Sequence, residues 1–239
     1  MSPGPSLDAF KLSISRAGHL LSLERATYKD PPPLDARHAV DGLRSGASIL
    51  MVAAFEAYLR DRLAEFVSDI GAAGYPIDFA KLPTEIQVAN TFNALQSALR
   101  GTRHGPAPPK PDRLPGIKLA SWHVHSNLLV PGAFGDTRSN PGKENLKAIF
   151  KEAAIPDVFT QVQPRFTKRW KQPVAHTFIA DTLEGVVNRR HLAAHGGVGL
   201  SFSRKDLRDS LRFLTILAEV FDIELRAHAR SLRKAARAA

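Results

Sequence analysis

The chain has 239 residues, a net charge of +10 and an isoelectric point near 10.1. Apolar residues make up 44% of it, which is enough to bury a substantial core and excludes a mainly disordered chain. There are no cysteines, so disulfides and thiolate metal sites are excluded.

The positive charge predicts an anionic partner. Such a field attracts polyanions and speeds their encounter, and nucleic acid is the first candidate, ahead of a membrane surface. The opening residues, "MSPGPSLDAF", contain no basic segment followed by an apolar run, and no apolar stretch is long enough to span a bilayer. We therefore expect a cytoplasmic protein without a membrane segment.

The first hundred residues predict three helices. Apolar side chains recur at helical spacing over residues 7–23, and three prolines at 31–33 interrupt that pattern. A long helix is predicted over 35–72, where "SILMVAAFEAYLRDRLAEFV" places one apolar stripe. A third helix is predicted from Pro83 to the glycine at 101.

The middle of the chain predicts mostly loops. The proline-rich residues 104–116 are expected to form neither helix nor strand, and residues 117–130 fit a strand or a short helix equally well. A turn-rich segment then leads to a short helix over 141–150, with Asn140 as its N-cap. The stretch "FTKRWKQP" is expected to be a loop.

Two helices are predicted in the last third. One spans 174–195, and the other begins near Ser203, where "SRKD" resembles a capping box with aspartate in the glutamate position. Residues 227–239 are expected to form a basic, frayed tail. The prediction is an all-α fold, a single domain over 1–239 with four to five main helices packed as a bundle and irregular loops between them.

The segment "VVNRRHLAAHGG", residues 186–197, carries the most chemistry. His195 stands where the helix ends before two glycines, and there the helix dipole favours a protonated imidazole. Arg190 offers a planar fork of donors that suits a phosphate. Arg, Arg and His near a helix C-terminus are also ordinary dipole partners, so a purely structural helix end explains these residues as well.

Helical geometry separates the two principal groups of this motif. Five residues at about 100° each place Arg190 and His195 about 140° apart around the axis. Either the glycine end unwinds, or two copies of the helix meet across a dyad and each site draws on both chains. His191 and His195 do share a face and have metal-ligand spacing, but the sequence offers no clear third ligand, so no metal or other cofactor is expected.

Glu56 is a candidate supporting residue. It shares a face with apolar residues of the long helix, so a half-buried carboxylate paired with Arg189 or Arg190 is one hypothesis. A solvent-exposed glutamate paired with Arg60 is the other. Asn188 and Arg189 flank the motif and are candidates for substrate contact.

A second candidate RNA-binding segment is an aromatic residue among basic ones. Such a pattern stacks a base beside a phosphate, although one tryptophan anchoring a loop fits it equally. The residues are Lys168, Arg169, Trp170 and Lys171.

The motif resembles the R-x4-6-H signature of HEPN domains. Arg190 fills the arginine position, His195 the histidine position, and His191 the polar position that usually holds asparagine. "SGASILMVAAFEAYLRDRLAE", with Glu56, resembles the first long helix of the RiboL-PSP-HEPN group, and residues 138–155 resemble its Asn-Pro loop and short helix.

The resemblance implies a homodimeric helical bundle that is often a metal-independent endoribonuclease. It further implies RNA as substrate, a composite active site with Arg190 and His195 as catalytic residues, and a possible antitoxin or regulatory partner. Many members of the family act as toxins or in defence against phage. The alternative is a non-catalytic module of the same fold that binds RNA or a protein.

Overall fold

The computed structural model describes residues 4–71, 77–100, 107–137, 140–196 and 202–237. Within these ranges the chain forms eight α-helices and no strand, which confirms the all-α prediction. The helices are α1 (Pro5–Thr27), α2 (Arg37–Gly71), α3 (Thr84–Arg100), α4 (Lys110–His125), α5 (Lys143–Glu152), α6 (Val158–Trp170), α7 (Phe178–Ala194) and α8 (Arg204–Ala235).

The described chain divides into two compact units. Unit 1 comprises Met1–Leu59, Thr137–Leu146 and Phe159–Asp222, and unit 2 comprises Arg60–Asp136, Lys147–Val158 and Ile223–Ala239. None of the described helices is both long and apolar enough to cross a membrane.

Aromatic side chains form the core of unit 1. Burying each of them completely contributes about 1.5–3 kcal/mol. The hydroxyl of Tyr58 donates a hydrogen bond of 2.7 Å to the carbonyl of Ala218, which satisfies the one polar group that this ring brings into the core. The rings in contact belong to Phe10, Phe55, Tyr58 and Phe221, and to Phe166, Trp170, Phe178 and Phe213.

A buried ion cluster ties three helices of unit 1 together. The carboxylate of Glu24 is fully buried and accepts hydrogen bonds from Arg44 and Arg204, each at 2.7 Å. Arg44 Nη1 also donates to the carbonyl of Phe202 at 2.8 Å. Because Phe202 lies just before α8, this cluster fixes where that helix begins.

Side-chain hydrogen bonds lie at the start of α8 and of α5. Ser203 Oγ accepts the amide of Asp206 at 3.0 Å, which is one half of the predicted capping box, and the Ser203 hydroxyl donates to the Asp206 carboxylate at 2.6 Å. Helix α5 starts at Lys143, two residues later than predicted, so Gly142 and not Asn140 occupies the N-cap position. Asn140 Oδ1 instead accepts the amide of Gly142 at 2.9 Å.

Three loop or tail predictions are wrong. Residues 110–116 of the predicted proline-rich loop belong to α4, since proline is tolerated in the first turn, where Pro111 lies. Residues 166–170 complete α6 rather than a loop, with Phe166 and Trp170 buried. Residues 227–235 continue α8 instead of fraying, because Ala229 and Leu232 are buried.

The number of helices also exceeds the expectation of four to five main ones, since α4 and α6 were expected to be loops or left open. The predicted stop signals at 74, 76 and 101, residues 104–106 of the expected loop, and residue 197 of the motif lie outside the described residues.

Candidate functional site

The motif lies at the carboxyl end of α7. Its buried face consists of Ile179, Leu183, Val186 and Val187, so the opposite face is available to solvent. His195 is the C-cap, and Gly196 follows with a φ of +69°. Glycine is favoured there because this left-handed conformation is strained for residues with a Cβ. The predicted helix end is therefore found one residue from its expected position.

The two histidines of the motif form a pair. Their imidazole rings are nearly parallel, with an interplanar angle of 7° and ring centroids 6.4 Å apart. His195 is exposed and His191 is half-buried. Asn188, three residues before His191, is exposed on the same stripe of the helix. Within the described ranges, no three His, Asp or Glu side chains group as metal ligands would.

Arg190 is the arginine of the motif whose side chain has no partner among the described residues. Its side chain is half-buried and makes no hydrogen bond or ion pair with any described residue. Ideal helix geometry places positions 190 and 195 about 140° apart around the axis, so within one straight helix the guanidinium and the imidazole would point in different directions.

Arg189 is committed to the fold. One of its Nη atoms donates a hydrogen bond of 2.8 Å to Ser210 Oγ on α8. Burial lowers the pKa of Arg189, while the nearby Asp206 acts in the opposite direction. Arg189, which the sequence suggested as a substrate contact, therefore joins α7 to α8 in this structure.

Glu56 binds a hydroxyl instead of an arginine. Its carboxylate accepts a hydrogen bond of 2.9 Å from Thr137 Oγ1, and the side chain is half-buried as predicted. In the described structure it pairs with neither Arg189 nor Arg190, and Arg60 pairs with Asp61. The expected carboxylate–arginine contact is therefore wrong in this conformation, and Glu56 holds the start of the loop before α5.

Glu184 is a residue that the sequence prediction missed. It lies on α7, and its carboxylate accepts the amide of Lys143 at 3.3 Å, at the N-terminus of α5, where a negative charge is favourable. A Cβ on Gly142 would lie 3.3 Å from Glu184 Oε2, so the loop approaches α7 closely. Helical spacing could have predicted Glu184, since residues 184, 188, 191 and 195 form one polar stripe.

The basic segment around Trp170 does not expose its ring. Trp170 is 9% exposed and lies against Phe166 and Phe178, and the guanidinium carbon of Arg212 lies 4.3 Å from the ring centroid. The predicted stacking of a base on this ring is wrong, because protein atoms cover it. Arg169 pairs with Glu219 at 2.7 Å.

Lys168 and Lys171, which flank Trp170 in the sequence, are exposed. They stay candidates for phosphate contact, since a solvent-exposed ammonium group can approach a nucleic-acid backbone without rearrangement of the core.

Comparison with known proteins identifies the family. The family model RiboL-PSP-HEPN matches residues 16–227, which include α2, the loop before α5, and the motif on α7. The searches of curated proteins and of solved structures gave no match. Since the match covers most of the chain and the fold is all-α, the chain belongs to the RiboL-PSP-HEPN family.

Proposed function

We propose that this chain is a metal-independent endoribonuclease that acts as a homodimer, with Arg190 and His195 as its catalytic residues. Membership of the RiboL-PSP-HEPN family supports a nuclease or another RNA-related function. The net charge of +10 supports RNA as the substrate, because phosphate contacts supply most of the sequence-independent affinity for nucleic acid.

One observation carries the proposal. The last turns of α7 present Arg190, His191 and His195, and none of these side chains forms a hydrogen bond or ion pair with the described residues. A phosphate-binding acid–base site requires such groups, namely cationic or titratable side chains that are not already paired within the fold. Arg189, by contrast, is held by Ser210 and serves the fold.

The proposed reaction is an internal transesterification. A neutral imidazole removes the proton of a 2′-hydroxyl, and the 2′-oxygen attacks the adjacent phosphorus. The bond to the 5′-oxygen breaks, and a protonated imidazole supplies the proton that this leaving oxygen needs. The products are a 2′,3′-cyclic phosphate and a 5′-hydroxyl. Acid–base catalysis of this kind contributes about 10²–10⁴-fold.

Arg190 stabilises the charge on phosphorus in this scheme. The guanidinium donates to the non-bridging oxygens as negative charge develops in the transition state. Because Arg190 and His195 diverge around α7, we propose that two copies of the chain combine, with Arg190 of one protomer and His195 of the other at each site. His191 lies beside His195 and orients the substrate or the second proton-transfer group.

A biological role follows from uncontrolled RNA cleavage. Such an activity harms the cell that contains it, so we propose a toxin or a phage-defence effector that acts in the cytoplasm under the control of an antitoxin or regulatory partner. Expression of the wild-type chain, compared with a chain carrying His195→Ala, gives a simple measure of this toxicity.

The direct test is cleavage of bulk RNA by the purified chain in the presence of excess EDTA. We expect cleavage that EDTA leaves unchanged, with products that end in a 2′,3′-cyclic phosphate. Cleavage that EDTA abolishes, or products that end in a 3′-hydroxyl, would contradict the mechanism. RNA binding without cleavage would favour the non-catalytic module.

A further inference from the structure

Helix α3 has a second apolar face that its own unit leaves exposed. Its buried face consists of Ile86, Ala89, Asn90 and Ala94. Another stripe follows a spacing of four, three and four residues, which is the pattern that packs against a partner helix. That stripe is Val88, Phe92, Leu95 and Leu99; Phe92 is 68% exposed and Leu99 is 56% exposed.

Most of the apolar side chains of helix α4 are exposed. Of its sixteen residues only Ala120 is buried. Leu114, Leu119 and Trp122 are each about half exposed. An isolated helix of this length is marginal in water, and helices in proteins gain most of their stability from packing an apolar face. A helix that buries only one residue in its own protein is therefore expected to pack its exposed apolar side chains against a partner.

A groove joins the two helices. It has a volume of about 380 Å³. Its walls are mostly small and apolar, and four polar or charged residues also line it: Ser97, Asp112, Arg113 and His123. The guanidinium of Arg113 is already used within the fold, since its Nη1 donates a hydrogen bond to the carbonyl of Leu99. The apolar lining residues are Ala94, Ala98, Leu119, Ala120, Val130 and Ala133.

The charge of this surface favours an acidic partner protein over a second copy of the chain. Residues 84–100 and 107–125 contain four cationic side chains (Arg100, Lys110, Arg113 and Lys118) and two acidic ones, Glu85 and Asp112. A second copy paired through this same surface would bring the same local excess of positive side chains, four against two, into contact with itself. An acidic partner would be attracted to it, because complementary charge steers association.

We propose that the α3–α4 surface, defined by Val88, Phe92, Leu99, Leu114, Leu119 and Trp122, is the docking site for an acidic amphipathic helix of a partner protein. The apolar face of that helix packs on the exposed apolar side chains, of which Leu119 also lines the groove. Its acidic flanks face Lys110 and Lys118, which are exposed. This inference concerns unit 2 alone and does not depend on nuclease activity.

The test uses the full chain and a designed helical peptide of about 18 residues. The peptide carries leucines at helical spacing and glutamates elsewhere, and a second peptide replaces every glutamate with lysine. The chain has two tryptophans, of which Trp170 is buried, so Trp122 is the one that reports on coverage of the surface. Fluorescence emission is recorded as either peptide is added, and sedimentation gives the oligomeric state.

We expect the acidic peptide to bind and to shift the emission to shorter wavelength, and the shift to disappear in Trp122→Phe. Phe92→Glu should weaken binding at least about tenfold. Leu12→Glu is the matched control, because Leu12 is also 68% exposed but lies on α1, and it should leave binding unchanged.

Four results would overturn the proposal. The first is equal binding of the lysine peptide, and the second is no binding of either peptide. The third is self-association of the wild-type chain that Phe92→Glu abolishes, which would make the occupant a second copy. The fourth is loss of RNA binding in Phe92→Glu with Leu12→Glu unaffected, which would make the surface a nucleic-acid site.

Discussion

His191 and His195 lie with their imidazole rings nearly parallel, their centroids 6.4 Å apart, on one stripe of α7. Arg190 precedes this pair in sequence, and ideal helix geometry separates positions 190 and 195 by about 140° around the axis. The motif therefore divides into a histidine face and an arginine face. A site that needs both groups at one phosphate is completed most directly by a second copy of the helix.

Mixing two inactive variants tests this composite site. If Arg190 of one protomer works with His195 of the other, a heterodimer of Arg190→Ala with His195→Ala contains one site in which both residues are intact. Random pairing makes half of the dimers mixed, so cleavage should return to about a quarter of the wild-type rate. The measurement is RNA cleavage after unfolding and refolding the two variants together.

The control for that experiment is each variant refolded alone, which should stay inactive. No recovery in the mixture would contradict a site built from one residue of each chain, and would favour a helix end that unwinds within one protomer.

Gly196→Ala should destabilise the protein by about 1–2 kcal/mol, because an L-residue with a Cβ is strained at the φ of +69° that Gly196 adopts. No described atom lies within 4 Å of the added Cβ, so the cost is conformational rather than steric. Gly42→Ala is the matched control, since Gly42 lies inside α2 with equally open space, and it should stabilise by about 0.5–1 kcal/mol. Denaturant unfolding measures both, and equal effects would contradict the assignment of Gly196 as the helix cap.

Glu24→Leu should destabilise the protein by about 3–5 kcal/mol, because it removes the buried carboxylate of Arg44 and leaves that guanidinium only the partly exposed carboxylate of Asp30. The double variant Glu24→Leu, Arg44→Met removes both buried charges and should recover part of that loss. Urea unfolding of the three proteins checks the comparison. A double variant less stable than Glu24→Leu would show that Arg44 is held mainly by its other contacts, the carbonyl of Phe202 and the carboxylate of Asp30.

His228 predicts a pH dependence of stability. Its ring stacks on Phe66 with an interplanar angle of 3°, and Nε2 lies 3.0 Å from the carbonyl of Ala153, to which the neutral ring donates. Burial lowers the pKa of His228, with the hydrogen bond to Ala153 acting in the opposite direction. The unfolded chain then binds a proton more readily than the folded one. This contribution to stability is present above the unfolded pKa of about 6.5 and is lost as the pH falls toward the folded value.

Unfolding midpoints at pH 7.5 and pH 5 measure this effect. The loss of stability between them should be smaller in His228→Phe than in the wild type. His19 is exposed, so His19→Gln should keep the wild-type pH dependence. If His19→Gln reduced it as much as His228→Phe, the assignment to His228 would be wrong.

The helices that periodicity predicted were those with one continuous apolar stripe. The long helix α2 was found within two residues of its predicted bounds, and the motif helix α7 ends one residue before its predicted end, because their buried residues recur at helical spacing. The start of α7 at Phe178 is four residues later than predicted. Helix α4 was missed because two prolines suggested a loop, although one of them lies in the first turn, where a missing amide has little cost.

The partners of the site residues could not be predicted, because they are distant in sequence. Thr137 binds Glu56 across 81 positions, and Arg212 covers the ring of Trp170 across 42. A one-dimensional pattern indicates that a carboxylate is half-buried or that a tryptophan sits among basic residues. It does not identify the group that folding brings against either one.

The most direct test of the central claim is the single-turnover rate of RNA cleavage in excess EDTA for the wild type and for His195→Ala. His195 is exposed and makes no side-chain hydrogen bond with the described residues, so its removal should leave the unfolding free energy unchanged. We predict that the substitution lowers the cleavage rate by at least about 10²-fold, the lower range for a general acid or base. A His195→Ala protein that cleaves RNA at the wild-type rate would contradict the assignment of this helix end as the active site.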